Sequence, residues 1–124
     1  MSDWLLHGIF ALGGGLGAVL RYVLTTAITH RFPLSTLLVN VAGCYLLGLA
    51  LVWFGETPGL AGEEARRLFA GFCGGFTTYS SFAYQSLDLR RNHSLRSAAL
   101  NVLANLLLCV AAFLAGRATG AGLA

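Results

Sequence analysis

Four apolar stretches, at roughly residues 4–28, 34–54, 68–87 and 98–118, account for most of a 124-residue chain. Each is long enough to cross the hydrocarbon core of a bilayer, which needs about 20 mostly apolar residues. Nothing else in the sequence narrows the possible folds as much. Hydrophobic residues make up 56% of the chain and charged residues 10%, against about 25% charged in soluble domains. The stretches therefore read as membrane spans. The chain holds a single domain, 1–124, an all-α membrane protein with four transmembrane helices per subunit and no residues left for a separate catalytic module. The start "MSDW" has Asp3 where a signal peptide needs a basic region, so the first stretch is expected to remain as a span.

The connectors are short. The first holds His30, Arg31 and Pro33, the second is the turn-rich "GETPGLAGEEARR", and the third is the basic loop "DLRRNHSLR". Four spans place both termini and the second connector on one side of the membrane, and the first and third connectors on the other. All eight cations are arginines. Arg66, Arg67 and Arg117 fall on one side and Arg31, Arg90, Arg91 and Arg96 on the other, while Arg21 sits near the end of a span. Loop cations set orientation, so a near tie leaves two readings: a weakly biased single orientation, or copies that insert both ways up. Cations placed at span ends serve topology rather than nucleic acid, so no nucleic-acid partner is expected. Four helices leave little room for a polar path within one subunit, which makes a homo-oligomer the default.

Polar residues inside spans need partners. No carboxylate lies mid-span: Asp3, Glu56, Glu63, Glu64 and Asp88 are all at ends or in loops. That disfavours proton-coupled transport, and His7 reads as interfacial. On the second span Thr36 and Asn40 share a face, one turn apart. The Asn40 amide suits either helix-to-helix hydrogen bonding or replacement of part of an ion's hydration shell. Asn101, Asn105 and Cys109 repeat that spacing on the fourth span, as a packing network or as a neutral stripe suited to an anion. Arg21 follows a glycine-rich run, either snorkelling to the interface or drawing anions to a vestibule. Cys44, Cys73 and Cys109 lie in separate spans without metal-type clustering and read as small core residues.

The third stretch contains "GFCGGFTTYSSF". Gly71, Gly74 and Gly75 weaken a helix, and Thr77, Thr78, Ser80 and Ser81 compete for backbone groups. A mid-span break is expected, with freed carbonyls able to hold a cation and freed N–H groups an anion. Phe76, Tyr79 and Phe82 recur every three residues on roughly one face. Their ring edges, which carry the positive end of the quadrupole, could take a small anion that has lost water.

In order along the first three spans, "GGGLGAVLRY", "STLLVNVAGCYLLG" and "GFCGGFTTYSSF" resemble the signatures of the Fluc/CrcB fluoride channels, over essentially the whole chain. The resemblance implies a passive fluoride-selective channel, not an enzyme, that exports fluoride from the cytoplasm. It implies an antiparallel, dual-topology homodimer in membrane lipid, with two pores, a broken third helix and a structural sodium ion at the dimer centre. By position, Asn40 matches the pore asparagine that donates to fluoride, and Thr36 a hydroxyl of the polar track. Gly74 and Thr77 match the backbone carbonyls that hold sodium, and Tyr79 and Phe82 the pore aromatics. Ser80 and Ser81 match the hydroxyls between those aromatics, and Arg21 the arginine of the first span. Asn101, Asn105 and Cys109 fall where the fourth helix carries polar track residues.

The chain departs from that pattern at Tyr79, where phenylalanine is usual, at Ser81, where threonine is usual, and at Gln85, where glutamate commonly follows. A small multidrug-resistance-type exporter is the alternative, as another four-span antiparallel dimer, but it works through a glutamate that the first span lacks. A non-transporting assembly factor would need no polar stripe. The expected location is a bacterial inner membrane.

Overall fold

The computed structural model describes residues 2–29, 32–55 and 60–123. His30, Arg31 and Glu56 of the connectors lie outside them. The described chain forms five helices: α1 (Asp3–Ala27), α2 (Leu34–Gly55), α3 (Leu60–Phe76), α4 (Ser80–Asn92) and α5 (Leu95–Leu123). Among the described residues α1, α2 and α5 are long and apolar enough to cross a membrane. The shortest of these, α2, has 22 residues. At 1.5 Å per residue that is about 33 Å, just over the roughly 30 Å of a hydrocarbon core.

The expected loops are largely helical. Residues 60–67 of the second connector begin α3, where Glu63 pairs with Arg66 and takes Arg67 Nε at 2.8 Å. Of the basic third connector, only His93 and Ser94 lie outside a helix. The turn is tight because both His93 N and Ser94 N donate to Leu89 O, and because Ser94 Oγ accepts from Ser97 N at 3.1 Å, capping α5. Pro33 precedes α2, its carbonyl accepting the first helical bond from Leu37 N. Proline suits this entry, since the N–H it lacks would have had no intrahelical partner.

Two helix pairs make up most of the packing, α1 with α3 and α2 with α5, while α4 packs on α5. Within each pair the backbones touch through glycine. A Cβ on Gly13 would overlap the Leu68 carbonyl, and one on Gly17 the Phe72 carbonyl; a Cβ on Gly71 would overlap that of Phe10, and one on Gly75 that of Gly14. Residue numbers rise together on both helices, so α1 and α3 run parallel. The same holds for α2 and α5, where Gly116 meets Tyr45 and Gly120 meets Leu49. Membrane helices gain little from hydrophobic contact with each other and rely on such close small-residue packing.

Apolar side chains point outward and amides inward. Leu103, Leu106 and Leu107 of α5 are exposed, whereas Asn101 of the same helix is 1% exposed. Among the described residues Thr36, Asn40, Asn101 and Asn105 are the buried polar ones, and the two most deeply buried large side chains are Asn101 and Thr36. Such an inversion suits a chain surrounded by lipid, where the interior is the only refuge for polar groups.

Candidate functional site

Helix α3 ends at Phe76 because its next residues have better partners than the helical ladder. Thr77 still donates to Cys73 O, through both N and Oγ1. Thr78 N instead donates to Asn40 Oδ1 at 2.8 Å, and Asn40 Nδ2 returns a bond to Thr78 O at 3.0 Å. A side-chain amide on α2 thus pairs with the backbone at the end of α3 as a neighbouring strand would. The Thr78 hydroxyl then accepts from Ser81 N at 3.2 Å and lies 3.4 Å from Ser80 Oγ, starting α4. These exchanges leave the carbonyls of Gly74 and Thr77 with no hydrogen-bond donor among the described residues. Gly74 is exposed on the outside of the subunit.

From Asn40 the hydrogen bonds continue in one direction. Asn40 Nδ2 donates to Asn105 Oδ1 at 3.1 Å, and Asn105 Nδ2 donates to Asn101 Oδ1 at 3.1 Å and to Asn101 O at 3.0 Å. Asn101 Nδ2 donates to Ser86 Oγ at 2.8 Å, and Ser86 Oγ to Phe82 O at 2.8 Å. A chain that starts at the Thr78 N–H ends at the Phe82 carbonyl, bracketing the start of α4. Aligned bonds polarise one another, and a buried network of this kind is rigid when every member is satisfied.

A cavity of about 600 Å³ opens beside this chain. It brings together Asn40, Gly74, Thr77, Tyr79, Phe82, Asn105 and Cys109 of the expected site, along with Thr78, and no charged side chain among the described residues lines it. Thr36, Ser80, Ser81, Asn101 and Arg21 do not line it. Thr36 is buried one turn before Asn40 on the same face, and Asn101 stands behind Asn105 in the chain of amides. Arg21 donates from Nε to Gly75 O at 3.0 Å, in the last turn of α3. A cation there meets the partial negative charge of the helix end and satisfies one of its orphan carbonyls.

The three aromatics do not share a face. Phe76 is 4% exposed and stacks on Phe72 with centroids 5.5 Å apart, while Tyr79 and Phe82 face the cavity with centroids 5.7 Å apart and planes tilted by 58°. The non-helical residues between α3 and α4 shift the register, so a spacing of three no longer means one side. Tyr79 is 79% exposed and its hydroxyl has no partner among the described residues. Tyr79→Phe should therefore keep stability, and any ion flux, within about twofold of wild type, as expected for an exposed change near 0.5 kcal/mol. A larger change in flux or in anion selectivity, measured in liposomes, would give the hydroxyl a role.

Sequence reasoning left Thr78, Ser86 and the surroundings of Gln85 outside the site. The importance of Thr78 lies mainly in its backbone, which no side-chain pattern reveals. Ser86 stands one turn after Phe82, a spacing that could have marked it. Gln85 lines a second cavity of about 270 Å³ with Thr25, Thr29, Ser35 and Asp88, and its buried Oε1 has no partner among the described residues.

Apolar outward faces, an interior of amides and a cavity beside the junction of α3 and α4 define a multi-pass helical membrane protein built around an uncharged polar site. The family described as CrcB-like protein, Camphor Resistance (CrcB), matches residues 9–117. The chain is 41% identical over 119 residues to a protein of Methylobacterium radiotolerans named fluoride-specific ion channel FluC, covering 89% of this chain and 80% of that one. It is 36% identical to a FluC of Methanococcus vannielii, covering 94% of each chain, and 38% identical to FluC 1 of Methanosarcina acetivorans, covering 94% and 91%. The chain belongs to the CrcB family.

Proposed function

We propose that the protein is a passive, fluoride-selective channel that lets fluoride leave the cytoplasm. The observation that carries this reading is the chemistry of the large cavity in a family whose members include proteins named for fluoride. Its lining offers amide and hydroxyl groups and the rings of Tyr79 and Phe82, and no charge. A carboxylate would repel an anion and an arginine would hold it. Neutral donors and ring edges can replace the water of a small ion with a strong field without trapping it. Fluoride at Asn40 would compete for an Nδ2 hydrogen now donated to Thr78 O or Asn105 Oδ1. Arg21, at the end of α3, would draw anions toward the break. The exporter alternative lacks its central group, since the only carboxylate of α1 is Asp3, in the first turn.

Helices α3 and α4 together form the third crossing in this reading. The helix registers support it. Because α2 and α5 are parallel, α5 begins at the membrane level where α2 begins, while α3 follows the end of α2. The chain between those levels must traverse the membrane. The site is completed by a second, antiparallel copy that brings a second pore. The near tie of loop arginines supports this arrangement, as does a cavity that opens to the outside of the subunit. A reporter at the exposed α4–α5 turn, His93→Cys, should react with an impermeant maleimide from both faces of sealed vesicles to comparable extents. Reaction from one face alone would end the dual-topology proposal.

Sodium fits the same reading. The unpaired carbonyls of Gly74 and Thr77 are hard oxygen donors at a helix C-terminal end, the kind of group that coordinates such ions in broken membrane helices. Two subunits would supply four, holding the ion and the two copies together. The proposed location is the bacterial inner membrane, where a passive pore gives cytoplasmic fluoride a way out.

Purified protein in liposomes loaded with fluoride and chloride tests the function directly. Ion-selective electrodes should record fast fluoride release and no chloride release. Equal release of both, or none from a folded preparation, would overturn it.

A further inference from the structure

Three thiols reach one cavity from three helices: Cys44 on α2, Cys73 on α3 and Cys109 on α5. Helices α2 and α5 advance together, so the step that pairs Asn40 with Asn105 repeats one turn on and pairs Cys44 with Cys109. Both thiols line the same cavity. One turn further, Gly48 meets the Phe113 carbonyl, which holds the two backbones together beside the pair. Among the described residues no three His, Cys, Asp or Glu side chains converge on a metal position. Cys73 lines the same cavity from α3, outside the α2–α5 register that pairs Cys44 with Cys109, so the donor set proposed is those two sulfurs. Zinc takes four ligands and hard cations take oxygen, whereas thiolate sulfur selects soft ions. Two sulfurs from parallel helices suit an ion satisfied by linear two-coordination.

We propose that Cys44 and Cys109 form a two-thiol site for a soft, linearly coordinated metal ion of the mercuric, silver or cuprous class, and that its occupation closes the cavity. On binding, both S–H bonds break, two sulfur–metal bonds form and two protons leave to solvent, with no change of oxidation state. The binding site stands independently of the fluoride reading, and only the closure rests on it.

The test titrates the purified full-length protein with mercuric chloride against glutathione as competing thiol, following bound metal and released protons. Before glutathione is added, wild type should bind one ion per subunit with release of two protons and of the two chlorides that the mercuric ion carried. It should hold the ion against at least about 100-fold more glutathione than Cys44→Ser or Cys109→Ser, because the second helix-held thiol acts at high effective concentration. Cys73→Ser should behave as wild type. Retention in Cys44→Ser or Cys109→Ser equal to that of wild type, or retention lost in Cys73→Ser, would overturn the site. In liposomes, mercuric ion should stop fluoride release from wild type relative to its own metal-free rate. At a glutathione level that strips the single-thiol variants, it should not stop theirs. Metal held while release continues would overturn the closure. Metal held by a protein that releases no fluoride even before metal is added supports the site and overturns the channel reading instead.

Discussion

Replacing Asn40 with alanine should lower fluoride flux by about 100-fold and destabilise the protein by roughly 2–4 kcal/mol, because one amide serves three partners. Its removal leaves Thr78 N, Thr78 O and Asn105 Oδ1 unpaired in the wall of an apolar cavity. Each buried group left without a partner costs about 1–3 kcal/mol. Relaxation at the open side of the cavity recovers part of that. Loss of stability and loss of flux have different origins, and Asn40→Asp separates them. The carboxylate can still accept from Thr78 N but cannot donate, and its charge opposes an anion. It should keep more of the stability than alanine does while conducting no better. Reconstituted flux and thermal unfolding in detergent measure the two effects. Wild-type flux in Asn40→Ala would remove Asn40 from the pathway.

The second large effect concerns three consecutive glycines that should respond differently to the same substitution. A Cβ on Gly13 would overlap the Leu68 carbonyl, on Gly14 it would lie 3.6 Å from Gly71 O, and on Gly15 it would meet open space. Gly13→Ala must push α1 away from α3, with a cost of at least about 1–3 kcal/mol typical of overpacking. Backbone cannot rotate aside as a side chain can, so the upper end is expected. Gly15→Ala adds only helix propensity and should stabilise by roughly 0.5–1 kcal/mol. Unfolding temperatures of the three variants check the ordering. The consequence reaches the site, because α1 carries Arg21 to the Gly75 carbonyl. Equal tolerance at Gly13 and Gly15 would contradict the α1–α3 register.

Much of this architecture was legible in the letters. Apolar length marked α1, α2 and α5, whereas the stretch at 68–87 is divided between α3 and α4; the spacing of Asn101, Asn105 and Cys109 marked a stripe that does face inward. Thr36 and Asn40 were recognisable as one buried face. The same spacing rule failed at Phe76, Tyr79 and Phe82, since it assumes an unbroken helix. It could not identify the Thr78 backbone as the partner of Asn40, nor give the direction of the chain that ends at Phe82. The connectors misled for a related reason. Polar, turn-forming composition in "GETPGLAGEEARR" and "DLRRNHSLR" masked helix ends that continue into the aqueous boundary.

Hydrophobicity sums along the chain, so the sequence alone determined that this is a helical membrane protein, which segments face lipid, and that amides must be hidden inside. A hydrogen bond depends on distance and angle between atoms far apart in sequence. Only the tertiary structure could decide that Asn40 ties the end of α3 to α5, that α2 and α5 place Cys44 and Cys109 on one cavity, and that the carbonyls of Gly74 and Thr77 have no donor among the described residues.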